Sequence, residues 1–144
     1  MRMTDLPLVM QIEREVYQDP WTEEMFYHEI DLGSSYVLEN KVAASLVGYM
    51  CGLKILDEYS LMNIAVTAKH QNKGYGTMLV EYLIIKCLQD NCRTIFLEVR
   101  ESNIKAIKLY TKQGFQLIGV RKEYYRKPKE DALVMKLDLR TGKI

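Results

Sequence analysis

Ile64-Ala65-Val66 runs through a short polar connection into Gln71-Asn72-Lys73-Gly74-Tyr75-Gly76-Thr77, and from there Tyr75, Met78, Leu79, Tyr82, Leu83 and Lys86 recur at helical spacing. An apolar strand therefore feeds a glycine-containing loop that opens a helix. The first N–H groups of a helix have no partner within it, and the helix dipole adds positive potential at that end. Gly74 and Gly76 let the backbone approach an oxyanion closely, and Lys73 adds a full charge. These features point to a phosphate-binding junction. The stretch is not GxxxxGK[ST], and it lacks GxGxxG with a downstream acid, which excludes a Walker loop and a dinucleotide fingerprint. Two glycines ahead of a helix also serve ordinary capping.

Outward from this junction, alternating periodicities predict a mixed order of elements. Leu6, Val9, Met10, Ile12, Glu13, Val16 and Tyr17 share three- and four-residue spacing, with Thr4 or Asp5 as N-cap and a stop before Asp19-Pro20. Thr22 can cap a second short helix whose first turn is acidic. Two β-like runs, 36–38 and 42–53, flank the turn-prone Glu39-Asn40-Lys41, and a further apolar strand covers 59–66. Ile95, Leu97 and Val99 alternate with Phe96 and Glu98, which predicts a strand over 94–99. Ser102 or Asn103 can cap a helix over 104–113 that stops at Gly114. Final strands near 115–120 and 132–139 enclose the segment 121–131. The expectation is one α+β domain over residues 1–144.

The chain has 144 residues, 48% hydrophobic and 27% charged, which suits one globular domain that can bury a core. No apolar run reaches the length of a membrane span, and the start lacks a charged head followed by an apolar stretch. A cytoplasmic protein is expected. Cys51, Cys87 and Cys92 fit neither a disulfide framework nor a CxxC pair, so they are read as buried thiols. His28 and His70 stand outside ligand spacing of any cysteine pair, so no metal site is expected. Net charge is +1, yet residues 1–72 carry −6 and residues 73–144 carry +7. That asymmetry suits an anionic ligand near the second half, a solvated basic face being the plainer reading. The basic residues lack interleaved stacking aromatics in an RNA motif, so no direct nucleic-acid binding is expected. Nothing in the sequence specifies an oligomeric state.

The spacing Gln71-x-x-Gly74-x-Gly76 resembles the Q/R-x-x-G-x-G/A pyrophosphate loop of the GCN5-related N-acetyltransferase (GNAT) superfamily. Leu97-Glu98-Val99-Arg100-Glu101-Ser102-Asn103, Ala106, Leu109-Tyr110 and Gly114-Phe115 resemble the next strand and helix of that superfamily. Within it, Pro20-Trp21, Asn63-Ile64-Ala65-Val66, Leu97-Glu98-Val99-Arg100, Tyr124-Tyr125 and Asp131-Ala132 resemble the RimI-type ribosomal-protein alanine N-acetyltransferases. The resemblance implies a mixed, mostly antiparallel sheet flanked by helices, with acetyl-coenzyme A as cosubstrate. It further implies that Ile64, Ala65, Val66, Gln71, Asn72, Lys73, Gly74, Tyr75, Gly76, Thr77 and Asn103 bind that cosubstrate. By the same resemblance Glu98 falls on the family's proton acceptor and Tyr110 on its proton donor, and the implied acceptor is the N-terminal alanine of a small-subunit ribosomal protein.

The chemistry asks for these residue types independently. An α-amino group of pKa near 8 is mostly protonated at neutral pH, so attack on a thioester needs a base. A phenol of pKa about 10 can protonate the departing thiolate, and a backbone N–H such as that of Val66 can stabilise the developing oxyanion. No metal is required. Glu98 could equally be a strand carboxylate facing solvent or paired with an arginine such as Arg100, and Tyr110 could serve packing. Trp21, Tyr124 and Tyr125 could line a peptide slot with Asp131 at its rim, the acidic first half attracting a cationic acceptor, while a tryptophan beside proline also serves as a core anchor. Lys105, Lys108 and Lys112 suit either the coenzyme phosphates or the wet side of a helix. Acetylation of lysine or of a small amine, and a coenzyme-binding module without turnover, are the alternatives.

Overall fold

The computed structural model describes residues Met1–Leu139. Four helices, α1 (Leu6–Val16), α2 (Glu23–Leu32), α3 (Tyr75–Gln89) and α4 (Ile104–Lys112), are interspersed with six strands. These are β1 (Tyr36–Asn40), β2 (Ser45–Ile55), β3 (Glu58–Val66), β4 (Thr94–Arg100), β5 (Gln116–Arg126) and β6 (Lys129–Asp138). They form one sheet in the order β1-β2-β3-β4-β6-β5, with β3 and β4 parallel and the β1/β2, β4/β6 and β5/β6 pairs antiparallel. This is the mixed, mostly antiparallel α+β architecture expected. The backbone groups into two compact units, Met1–Leu53 with Met62–Leu79, and Lys54–Leu61 with the chain from Val80 onward.

In the first unit α1 buries Leu6, Val9, Met10, Ile12 and Glu13, so its helical stripe includes an acid. Phe26 of α2 and Tyr49 and Cys51 of β2 close this core, with ring centroids 5.8 Å apart for Phe26 and Tyr49. Burying Phe26 fully contributes about 1.5–3 kcal/mol. Thr22 caps α2 as expected, its hydroxyl accepting from the Met25 N–H at 3.3 Å. The first hairpin differs from expectation: β1 runs on through Asn40, and β2 begins only at Ser45. The Asn40 side chain accepts from the N–H groups of Val42 and Ala43 at 3.1 and 3.2 Å, which moves the turn to its C-terminal side. Gly48 on β2 is irreplaceable on steric grounds, since a Cβ there would stand 2.6 Å from the Ala65 carbonyl oxygen.

In the second unit β3 pairs with β4 from Glu58↔Thr94 to Leu61↔Leu97. Ile95, Leu97 and Val99 point into the core, as their alternation predicts, together with Leu83, Cys87, Phe115 and Met135. Asn103 caps α4, its Oδ1 accepting from the Ala106 N–H at 3.2 Å, and Gly114 follows the helix at φ +103°. The expected break between the last strands is absent: β5 continues to Arg126 and β6 begins at Lys129, making one long hairpin. All three cysteines are buried and free, and burial is the first cause that pushes the Cys51 and Cys87 thiols up to about 12. Such thiols are inert at neutral pH. Among the described residues no helix is long and apolar enough to cross a membrane.

Candidate active site

The loop after β3 is built by side chains that turn back onto the strand. Thr67 N–H donates to Val47 O at 2.9 Å, and the Gln71 amide donates to Val66 O at 3.0 Å, so Gln71 staples the loop to the strand end. The Ala68 N–H donates to Glu15 Oε1 on α1 at 2.7 Å. Asn72 and Gly74 take φ of +62° and +87°, and the first helical bond of α3 runs from Met78 N–H to Gly74 O at 3.0 Å. The N–H groups of Tyr75, Gly76 and Thr77 therefore stand ahead of it with no partner inside the helix. Lys73 is exposed beside them. This cradle of forward N–H groups with a positive dipole end and a lysine fits a pyrophosphate.

A Cβ on Gly74 would meet nothing within 4 Å, so the constraint there is backbone conformation and the open space before the loop. We predict that Gly74→Val weakens acetyl-coenzyme A binding about tenfold, through the cost of a left-handed β-branched residue and its bulk in that space. Titration calorimetry of the folded variant checks this, and unaltered affinity would contradict the placement.

The strand ahead of the loop is held by α1. The Tyr17 hydroxyl donates to the Ile64 carbonyl. Glu13 is 1% exposed; its Oε1 accepts from the Tyr49 hydroxyl and from Asn63 Nδ2 at 2.9 Å, and its Oε2 accepts from the Trp21 N–H at 2.9 Å. Trp21 packs against Phe26, with centroids 5.1 Å apart, and borders an open depression with Met10, Arg14 and Pro20. It serves as the anchor that the plainer sequence reading described. Glu13, Glu15, Tyr17 and Gly48 were not singled out by sequence reasoning as functional; the available signal was an acid in the apolar stripe of α1.

In the second unit Glu98 is the first β4 residue past the parallel ladder, opposite Val134 of β6. Its partner is Arg121 rather than Arg100: Arg121 Nη1 donates to Glu98 Oε2. Arg100 is held elsewhere, donating to Pro128 O at 2.8 Å, Lys127 O at 3.0 Å and Glu130 Oε1 at 3.1 Å, its guanidinium 4.1 Å from the Tyr125 ring centroid. Arg100 and Arg121 both lie opposite Ala132, whose small side chain leaves Arg121 room to reach diagonally to Glu98. Tyr124 lies beside Glu98, and burial first, then that carboxylate, raises its pKa. Burial first, then Glu98, pushes Tyr125 up to about 12. Tyr110 is buried against Phe115, and burial first, then Tyr125, raises its pKa, which keeps its hydroxyl protonated.

A bulge in β5 assembles this cluster. Between Arg121↔Ala132 and Tyr125↔Glu130, β5 advances four residues while β6 advances two. Asp131 fills the bulge: Oδ1 accepts from the Glu123 N–H at 2.7 Å, where φ is +50°, and Oδ2 accepts from Lys122 at 3.2 Å. Its carboxylate is thus engaged in the hairpin itself, and Asn103 likewise spends its side-chain oxygen on the α4 cap. Lys105, Lys108 and Lys112 are exposed on α4.

The Glu123 N–H, ahead of Lys122, holds the Asp131 carboxyl below its usual range. A depressed carboxyl contributes stability above its unfolded pKa of about 4, lost as pH falls through the folded value. Urea midpoints of wild type and Asp131→Asn should therefore differ most at neutral pH and converge in acid. A gap independent of pH would contradict this role.

Residues 6–115 match the family model for the acetyltransferase (GNAT) family. The chain belongs to that family. Similar proteins include a putative [ribosomal protein bS18]-alanine N-acetyltransferase of Bacillus subtilis, 38% identical over 94% of this chain and 90% of the relative. The [ribosomal protein bS18]-alanine N-acetyltransferase of Salmonella typhimurium is 37% identical over 94% of this chain and 93% of its own length. Among solved structures, the ribosomal-protein-S18-alanine N-acetyltransferase of Escherichia coli matches with TM-score 0.87 and 33% identity, covering 96% of this chain and 90% of that one. Ard1 of Thermoplasma volcanium matches with TM-score 0.84 and 25% identity, covering 94% and 91%. As a GNAT enzyme the protein is an N-acetyltransferase, and acetyl-coenzyme A is its acetyl donor. Among the described residues no group of three or more His, Cys, Asp or Glu side chains could hold a metal ion.

Proposed function

We propose that this GNAT enzyme acetylates the N-terminal alanine of ribosomal protein bS18 in the cytoplasm. The observation that carries the reading is Glu98, a mid-strand carboxylate ringed by Arg121, Tyr124 and Tyr125, in a chain whose likeness to bS18-alanine acetyltransferases extends over 94% of its length. The reading takes residues 1–144 as one catalytic domain, of which 6–115 match the family model.

In this reading Ile64, Ala65, Val66, Gln71, Asn72, Lys73, Gly74, Tyr75, Gly76 and Thr77 hold the cosubstrate, the N–H groups of the α3 first turn and Lys73 taking the pyrophosphate. Asn103 belongs to the same set through its Nδ2, since Oδ1 is the α4 cap. Bound acetyl-coenzyme A supplies the thioester. Glu98 takes a proton from the acceptor ammonium, directly or through water, leaving a neutral nucleophile. As the C–N bond forms, the Val66 N–H steadies the charge on the carbonyl oxygen. When the C–S bond breaks, Tyr110 gives its proton to the sulfur and regains one from the nitrogen as the amide forms. Tyr124 and Tyr125 flank the acceptor on the Glu98 side, Trp21 and Asp131 acting through the packing they maintain. The acceptor is a peptide end, and no nucleic-acid contact is needed.

A peptide copying the first residues of bS18, incubated with enzyme and acetyl-coenzyme A, should gain its acetyl group on the alanine α-nitrogen by fragment mass spectrometry. Loss of that gain when alanine is replaced by methionine supports the bS18 reading. Equal transfer to both peptides would contradict it.

A further inference from the structure

We propose that Arg121 is a displaceable counter-ion of Glu98: its guanidinium holds the carboxylate while no acceptor is bound and gives way to the ammonium of the incoming chain terminus. The proposal rests on the reading of Glu98 as the proton acceptor. It starts from a conflict in the structure, because the carboxylate that must meet the acceptor is already occupied by a permanent cation.

Two arginines stand next to one another across Ala132, and they are held very differently. Arg100 makes three hydrogen bonds and a ring contact, and its side chain is 23% exposed. Among the described residues Arg121 has one anionic partner, and its side chain is 56% exposed at the β5 bulge. One arginine is built into the hairpin; the other is tethered at its tip. Arg121 also has a place to rest on release, since its guanidinium carbon lies 4.4 Å from the Tyr124 ring centroid, within cation–π range.

Charge explains why an exchange is favoured over simple opening. The Glu98 side chain is only 27% exposed, so losing its cation with nothing in return leaves a partly desolvated carboxylate unpaired. An arriving α-ammonium replaces one positive charge with another, so the carboxylate stays paired in both states. A blocked, uncharged terminus brings no such replacement. Arg121 thereby makes the site select cationic termini, at the cost of competing with them.

Ion pairs of this exposure shift an equilibrium by only a few-fold. Steady-state kinetics on an alanine-first peptide should therefore show Arg121→Ala lowering the peptide KM roughly two- to fivefold, with the acetyl-coenzyme A KM unmoved. Methylguanidinium in the assay should raise the peptide KM of that variant back toward wild type, a rescue that a merely structural role would not show. Arg121→Gln, which removes the charge and keeps a polar side chain, should behave as Arg121→Ala does. In a Glu98→Gln background, where residual turnover still reports a KM, the Arg121 substitution should have no effect on it. A peptide KM that rises or stays constant in Arg121→Ala and Arg121→Gln overturns the counter-ion role. Wild-type turnover in Glu98→Gln alone overturns the proton-acceptor reading instead, so the two failures are distinguishable.

Discussion

Glu98→Gln is expected to lower kcat at pH 7 by about 10²-fold or more, the usual contribution of a positioned general base. The substitution keeps the shape of the side chain and removes its ability to take a proton. Acetyl-coenzyme A affinity should be retained, because the loop at 71–77 and the α3 first turn do not depend on the Glu98 charge. The defect should also shrink as pH rises past the amine pKa of about 8, where the acceptor arrives neutral and needs no base. Stopped-time assays from pH 6 to 10 with a fixed alanine-first peptide check both statements. A variant that turns over like wild type at neutral pH removes Glu98 from the mechanism, and a defect equal at all pH values assigns it a different role.

Glu13→Ala carries the largest expected loss of stability, about 3–5 kcal/mol. Removing this buried carboxylate leaves three donors without their acceptor: the Tyr49 hydroxyl, the Asn63 amide and the Trp21 N–H. They come from β2, β3 and the approach to α2, so one side chain of α1 ties three segments of the first unit together. A fall in Tm of roughly 10 °C is expected for a domain of this size. Glu13→Gln retains one acceptor oxygen and should lose less. Because Asn63 begins the strand stretch that carries Ile64–Val66, both variants should also weaken acetyl-coenzyme A binding at temperatures where they remain folded. Calorimetric melting settles the first point; a change under 1 kcal/mol for Glu13→Ala would mean that the network is replaced by water.

Elements whose signal is local periodicity could be read from the sequence closely. The α1 stripe, the β4 alternation, the Thr22 and Asn103 caps and the loop ahead of α3 all depend on neighbours within a few residues. The hairpin from 116 to 138 could not, because the bulge that lets strand pairing continue is held by Asp131 reaching back to the Glu123 N–H and Lys122. A break was expected where two extra residues had been accommodated by a side chain. The partner of Glu98 was missed for a related reason: Arg100 is near in sequence, but its carbonyl and Glu130 contacts claim it, and Arg121 arrives diagonally across β6. Glu13 was visible as a residue and invisible as a hub, since the three donors it serves lie 8, 36 and 50 positions away. Gly48 gave no signal either, its role being set by the Ala65 carbonyl on another strand. The RimI-type words in the sequence carry what periodicity could not, namely the roles proposed for Glu98 and Tyr110.

Intact-mass spectrometry of two paired peptides distinguishes transfer to a chain terminus from transfer to lysine. One begins with a free alanine and has its lysines blocked; the other has a blocked terminus and free lysines. With enzyme and acetyl-coenzyme A, a gain of one acetyl group, about 42 Da, is expected on the free-terminus peptide alone, where Glu98 meets an α-ammonium of pKa near 8. Acetylation of the blocked-terminus peptide, or of neither while acetyl-coenzyme A binds, would contradict it.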